Sequence, residues 1–372
     1  MSHCRLAVAP PLPPAVYGRR PVRDLPFPLD RPACVLFARG RHALWHGVRA
    51  LKLPPGAEVL VPAYHCGCEV EVLLGAGVGC RFYAGTDSLA PDEDELDQLL
   101  DERVVGLYLI HTLGFPQDAL RWRRWCDANG MLLIEDVAQA WLGTNSGRPL
   151  GSFGDLSIFA FYKSFGVPDG AALLLRSEFQ PPARRGRLAL STLGKRHAEW
   201  LLARSRLLTT LGARLRPEFD LVRQEFDSVS SYATGNPNSL ASLTSRFLLP
   251  RVADPAAAER RRTNYGRLLT ELGDVVAEPF ARLPVGASPW AFPILVPDKQ
   301  ELLERLLGQG IRALNFWSVP HSYLPSARFP RASSLRASLV GLPVHQELRE
   351  SDLARLVAAF RKSHVAFSRA TV

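Results

Sequence analysis

Glu135 and Asp136 end an apolar run, Met131 to Ile134, and Lys163 follows 27 residues after Asp136 between aromatic and apolar neighbours (Phe159-Ala160-Phe161-Tyr162-Lys163). Acids at the end of a buried strand, with a lysine in an apolar setting, suit a carbonyl cofactor. A lysine held away from water loses part of its preference for the charged form, so it can attack an aldehyde and form an imine. A carboxylate facing a ring nitrogen keeps that ring protonated and electron-withdrawing. Adjacent residues on a strand point to opposite faces, so only one of Glu135 and Asp136 can serve such a ring.

The elements around these residues follow an alternating pattern. Gly40-Arg41 opens a helix with Ala43, Leu44, Val48 and Leu51 on one side, and a helix start behind a glycine offers backbone N–H groups to an anion. Glu58 to Pro62, Cys80 to Tyr83 and Val104 to Ile110 read as strands, and Asp92 to Leu100 and Ala119 to Asn129 as helices. Strand–helix alternation of this kind implies a mostly parallel sheet covered by helices, an α/β fold, with its site at the carboxyl ends of the strands. Residues 1–30 are proline-rich and read as an arm, residues 31–250 as a large domain, and residues 251–372 as a smaller C-terminal α/β domain.

The stretch Glu135-Asp136-Val137-Ala138-Gln139, then Gly151-Ser152-Phe153-Gly154-Asp155, then Phe159 to Lys163, then Asp169-Gly170-Ala171 resembles the core of the DegT/StrS-like sugar aminotransferases, fold-type I pyridoxal-phosphate enzymes. The similarity runs from about Cys34 to about Arg361 through Trp290 to Val296 and Leu342 to Leu348. It implies Lys163 as the imine-forming lysine, Asp136 as the partner of the pyridine nitrogen, Gln139 as a neighbour of the ring hydroxyl, and Gly40 and Arg41 at the phosphate. Tyr64, His65 and Cys66 compete by one-residue shifts for the place stacked on the ring, and His65 is the favoured one. Ala160 stands where many relatives have a serine near the phosphate, and Ala171 replaces the second turn glycine. His111 is read as either a pocket residue or a structural histidine.

The function implied is pyridoxal-5′-phosphate-dependent transamination of a keto-sugar nucleotide, with glutamate as donor, by a homodimer. Two alternatives stand beside it. One is the dehydratase-type reaction of some relatives, against which Lys163 itself argues. The other is a degenerate, non-catalytic binding partner.

Bulk composition limits the other classes. The 372 residues carry 47% hydrophobic and 22% charged residues and a formal charge of +9. No apolar run is long enough for a bilayer, the N-terminus lacks a signal-peptide core, and a cytoplasmic protein is expected. The cysteines form no C-x-x-C pair, and neither metal site nor disulfide is implied. From Arg184 to Arg216 there are nine Lys/Arg and one acid. So local a basic patch argues against a nucleic-acid-coating protein; it fits a solvated face, steering of an anionic substrate, or weak contact with an anionic membrane.

Overall fold

The computed structural model describes residues 6–180, 187–188, 235–276 and 278–370. Apart from Arg187 and Leu188, the basic segment 184–216 lies outside the described residues.

Seven strands are ordered as the alternation requires: β1 (Val35–Phe37), β2 (Glu58–Pro62), β3 (Gly79–Tyr83), β4 (Val104–Ile110), β5 (Leu132–Asp136), β6 (Leu156–Ala160) and β7 (Ala171–Leu175). With two short edge strands, β8 (Arg187–Leu188) and β9 (Ser239–Leu240), they form one sheet in the order β8-β9-β1-β7-β6-β5-β4-β2-β3. The block β3-β2-β4-β5-β6 is parallel throughout, and β7 lies antiparallel between β6 and β1. The fold is α/β with a large, mostly parallel sheet flanked by helices, as the alternation implied. Strands buried on both faces read as continuous apolar runs, and in β4 and β6 nearly every side chain is buried.

Helix α1 (Gly40–Leu51) buries Ala43, Leu44, Val48 and Leu51 against β6 and β7. Gly47 permits that contact, since a Cβ there would lie within 3 Å of Leu156 and Leu173 side-chain atoms. The C-terminal part has its own antiparallel sheet, β10 (Ala291–Leu295), β11 (Leu314–Asn315) and β12 (Leu339–Pro343), in the order β10-β12-β11. Helices Ala256–Leu272, Lys299–Gly308 and Glu350–Ala370 accompany it. One apolar cluster runs from Val59, Tyr64 and Phe115 of the first part into Trp290, Phe316 and Phe360 of the second. The two sheets therefore share buried surface. The N-terminal arm is held in the same way: Leu6–Ala7 pairs in parallel with Ile311–Arg312, and Leu12 and Val16 are fully buried.

The link that matters most for the site is the turn after β4. Leu113 and Gly114 both adopt positive φ, and this turn exchanges backbone hydrogen bonds with the chain before β10: Trp290 N–H donates to Leu113 O (2.8 Å), and Ser288 N–H to Gly114 O (3.0 Å). At Gly114, φ is +88° and a Cβ would lie 2.0 Å from Ser288 O, a backbone atom. Gly130 also has positive φ (+65°) but opens to empty space. Gly114→Ala is therefore expected to cost roughly 2–4 kcal/mol, and Gly130→Ala about 1 kcal/mol. Denaturant midpoints of the two variants, measured side by side, check the ranking, and equal losses would contradict the close approach.

Candidate active site

Period-two alternation decides what the two acids at the end of β5 do. Glu135 is fully buried and turns away from the site into the loop that follows. Its carboxylate accepts the backbone N–H groups of Gly151 (2.6 Å), Phe153 (3.1 Å) and Gly154 (3.0 Å). It also takes His111 Nε2 at 3.0 Å. Because His111 Nδ1 accepts the N–H of Gln117, Nε2 must carry the proton. His111 is therefore a structural histidine, one of the two readings its position allowed. Asp155 is structural too, clamped between Arg123 and Arg176 and accepting Leu133 N–H.

Asp136 faces the other way and stays partly open. Its Oδ1 accepts the N–H of Ala138 (2.8 Å), and its Oδ2 accepts the hydroxyl of Tyr108 from β4 (2.8 Å). The carboxylate is thereby fixed in direction while retaining lone pairs for a further donor. Tyr108 is a site residue that the sequence did not reveal. It sits mid-strand in an apolar run, and only the β4–β5 register brings it to Asp136.

Gln139 follows in the turn after β5. Its Oε1 accepts Leu113 N–H at 2.6 Å, whereas its amide nitrogen has no partner within the described protein. That carbonyl holds the Leu113–Gly114 turn, which holds Trp290, whose ring lies 5.2 Å from Lys163 Nζ. A line of contacts thus joins the end of β5 to the lysine.

Lys163 lies in a single helical turn, Phe161–Ser164, at the end of β6. The turn is anchored from the C-terminal part: Ser164 O accepts Arg261 Nη2 and Gln346 Nε2, and Arg261 Nε donates to Gln346 Oε1 at 2.8 Å. The ammonium makes no hydrogen bond or ion pair within the described protein; its one close partner is the Trp290 ring. Burial pushes its pKa down, but the surrounding Tyr162, Cys66, Asp136 and Cys68 outweigh burial and leave it above its ordinary value. The expectation of a lysine already biased toward neutrality is corrected here: the interactions with these neighbours outweigh the burial that would favour the neutral amine.

Gly40 and Arg41 begin α1 behind Arg39, which gives no side-chain cap, and a Cβ at Gly40 would meet nothing. They lie in the first turn of the helix, where backbone N–H groups have no carbonyl partner within the helix itself. Arg39 itself stacks on Tyr162, the neighbour of Lys163, at 4.7 Å. Gly170 takes φ +117° in the turn before β7, whereas Ala171 lies in the strand with ordinary extended geometry. Losing the second turn glycine therefore costs no backbone strain. Ala160 is buried at the start of the Lys163 turn and offers no hydroxyl.

His65 is the sequence-derived site residue that the structure places elsewhere. Its ring is fully buried, stacks on Phe82 (5.4 Å, 15°) and donates Nδ1–H to Pro62 O (2.8 Å). Burial and then the Arg336 charge hold its pKa down at about 3, so the ring is neutral. Arg336 also donates to the carbonyls of Ala63 and His65, locking this strand end. Tyr64 is buried against Trp317. Of the three adjacent candidates only Cys66 keeps open surface, and it lies within the field of Lys163. One residue of register moves a side chain from one face to the other, which is why the sequence left all three open.

The fold and this lysine–aspartate arrangement define an α/β aminotransferase scaffold. The family model of the DegT/DnrJ/EryC1/StrS aminotransferase family matches residues 29–189. It is 22% identical over 341 residues to a UDP-N-acetyl-3-dehydro-alpha-D-glucosamine 3-aminotransferase of Acidithiobacillus ferrooxidans, covering 88% of this chain and 83% of that one. It is 25% identical over 347 residues to a dTDP-3-amino-3,4,6-trideoxy-alpha-D-glucose transaminase of Streptomyces venezuelae, covering 87% and 80%. Among solved structures, a putative sugar aminotransferase from Streptococcus pneumoniae in its PMP form superposes with a TM-score of 0.67 at 17% identity, covering 99% of this chain and 100% of that one. The aminotransferase TlmJ from Streptoalloteichus hindustanus gives 0.65 at 22%, covering 90% and 87%.

Glu69, another residue the sequence did not single out, is buried beside Cys66 and accepts its N–H at 2.9 Å. Burial first, then Cys66 and Asp136, push its pKa up to about 8 from an ordinary 4.5. The folded protein thus holds this proton where the unfolded chain releases it, so Glu69 subtracts stability progressively as pH rises from 4.5 through 8. Glu69→Gln keeps the acceptor and cannot ionise. Its stability advantage over the wild type is expected to be near zero at pH 5 and to grow toward pH 8. Thermal melts at both pH values check the slope, and a pH-independent difference would contradict it.

Proposed function

We propose that the protein is a pyridoxal-5′-phosphate-dependent aminotransferase acting on a keto-sugar nucleotide, with glutamate as the amino donor. The observation that carries the reading is Lys163: a partly buried amine with no hydrogen-bond or ion-pair partner in the described protein, within the field of Asp136, a carboxylate fixed in direction. The family-model match over residues 29–189 and the names of the similar enzymes, which refer to UDP- and dTDP-linked sugars, support the substrate class.

The residues present fit the cofactor. Gly40 and Arg41 N–H groups and the start of α1 suit a phosphate, Asp136 suits a protonated ring nitrogen, and the unpartnered amide of Gln139 suits a ring oxygen. Cys66, rather than His65, is the neighbour we assign to the ring face. When bound, pyridoxal phosphate supplies an aldehyde for an amine and an electron-withdrawing ring. Lys163 Nζ would be the amine that holds the aldehyde and the group that would move the proton at the reacting carbon. Asp136, oriented by Tyr108 and Ala138, holds negative charge against the ring nitrogen. Trp290 and the Arg261–Gln346 pair keep the lysine turn in place.

A homodimer in the cytoplasm is the expected setting, and sedimentation velocity reads the oligomer directly. Among the described residues no helix is long and apolar enough to cross a membrane. For residues 184–216 we retain salt-sensitive binding to an anionic surface as a proposal. The protein is then expected to co-sediment with anionic vesicles at low salt and not with neutral ones; remaining in the supernatant with both would rule this out.

Borohydride treatment of the reconstituted protein is expected to fix the cofactor to the peptide containing Lys163. Asp136→Asn is expected to bind cofactor yet lose nearly all transamination, on the order of 10³-fold or more. Glu135→Gln is expected to lower stability with a much smaller effect on turnover. Labelling at another lysine, or the reverse ranking of the two acids, would overturn the assignment.

A further inference from the structure

Cys66-Gly67-Cys68 sits at the junction between β2 and helix α2 (Cys68–Gly75). Gly67 takes φ +102°, and the resulting turn brings the two sulfurs to 3.7 Å, with Cys66 Sγ–H directed at Cys68 Sγ. Both thiols are reduced, and both are partly open rather than sealed in the core. Cys80 and Cys126, by contrast, are buried and have their thiols pushed up to about 12 by burial. The chemistry of the pair is asymmetric. Cys68 stands at the first position of an eight-residue helix, receives the Cys66 hydrogen bond, and has Arg41 and Lys163 nearby; together these draw its pKa down. Cys66 is pushed up, first by that same hydrogen bond and then by burial. A readily ionised thiol touching a protonated one is the arrangement of an attacking and a resolving cysteine.

We propose that Cys66 and Cys68 are an oxidative modification site for peroxides, forming a reversible disulfide that restrains the corner of the site facing Lys163. The Cys68 thiolate attacks one peroxide oxygen, the O–O bond breaks, and hydroxide leaves, giving a sulfenic acid. Cys66 sulfur then attacks Cys68 sulfur, its proton leaving with the departing hydroxide as water. In sum, two thiols and one hydrogen peroxide give one disulfide and two waters. The sulfurs must close from van der Waals contact to a covalent bond, about 2.05 Å. Gly67, already in a left-handed conformation that other residues adopt at a cost, is the hinge that allows it. The ring so formed contains only three residues, and strained, exposed disulfides are the labile ones. A reducing cytoplasm keeps the pair as thiols and oxidant load converts it.

The consequence for Lys163 rests on the function proposed above. Cys66 and Cys68 both raise the charge preference of Lys163, so converting two ionisable sulfurs into a neutral disulfide changes the field at Nζ and fixes the Cys66 side chain.

The test uses the full chain, with and without pyridoxal phosphate, treated with hydrogen peroxide. Fragmentation mass spectrometry is expected to show a loss of two hydrogens between Cys66 and Cys68, reversed by dithiothreitol and absent in Cys68→Ser and in Cys66→Ser. Borohydride trapping of cofactor at Lys163 is expected to fall at least about fivefold in the oxidised protein and to recover on reduction, while Cys68→Ser traps equally with and without peroxide. A disulfide at other cysteines, or irreversible sulfinic acid at Cys68 with Cys66 unchanged, overturns the dithiol site. A Cys66–Cys68 disulfide with unaltered trapping overturns the link to Lys163. Should the reduced protein trap no cofactor at Lys163, the proposed function fails together with that link, while the mass measurement alone decides the disulfide.

Discussion

The site depends on Glu135 being committed on one side of its strand. Four donors converge on that buried carboxylate, three backbone N–H groups and His111, and together they pin the loop Gly151–Gly154 under the end of β5. A buried carboxylate is tolerated only when so fully hydrogen-bonded. With the strand face thus fixed, Asp136 can only point the other way, toward Tyr108 and the space beside Lys163. Sliding the strand by one residue would bury the aspartate in the loop and expose the glutamate to the pocket.

From that point the arrangement is held by contacts between distant parts of the chain. Gln139 holds the turn after β4, the turn holds the backbone before β10, and Trp290 presents its ring to the ammonium. Arg261 and Gln346 grip the carbonyl next to Lys163 from the opposite direction. Neither grip involves a carboxylate. Arg261, whose hydrogen bonds go to Gln346 and Ser164, has its pKa drawn down to about 10 by burial and then by Arg260. A rigid lysine turn supported from both sides suits a group that must approach a fixed carbon and return.

The electrostatics of the pocket work by opposition. Burial favours the neutral lysine, and the ring of Tyr162, Cys66, Asp136 and Cys68 favours the charged one. Burial first, and then two of these groups, Cys66 and Asp136, push the pKa of Glu69 up to about 8. Charges placed this close are coupled, so changing any of these groups alters the proton affinity of the others. That coupling is also why a dithiol next to the lysine has chemical consequences beyond its own oxidation.

Much of this was legible in the sequence because it is local. The helix opening at Gly40, the strands ending at Ile110 and Asp136, and the alternation that makes the sheet parallel all follow from periodicities and turn residues within a dozen positions. The order of Asp136, Gln139, Lys163 and Gly170 carried the family likeness as well, and with it the roles proposed for these residues. What the sequence left open was which of three neighbours, Tyr64, His65 or Cys66, faces the site. That depends on the close of β2 and on Arg336, 271 residues from His65, which clamps the strand end so that His65 turns inward onto Phe82. Tyr108, Trp290, Arg261 and Gln346 were equally beyond reach, since strand register and long-range packing bring them together and no spacing along the chain encodes it. The charge on Lys163 was misjudged for the same reason: its apolar flanks are visible in the sequence, whereas Cys66, Asp136 and Cys68 are its neighbours only in three dimensions.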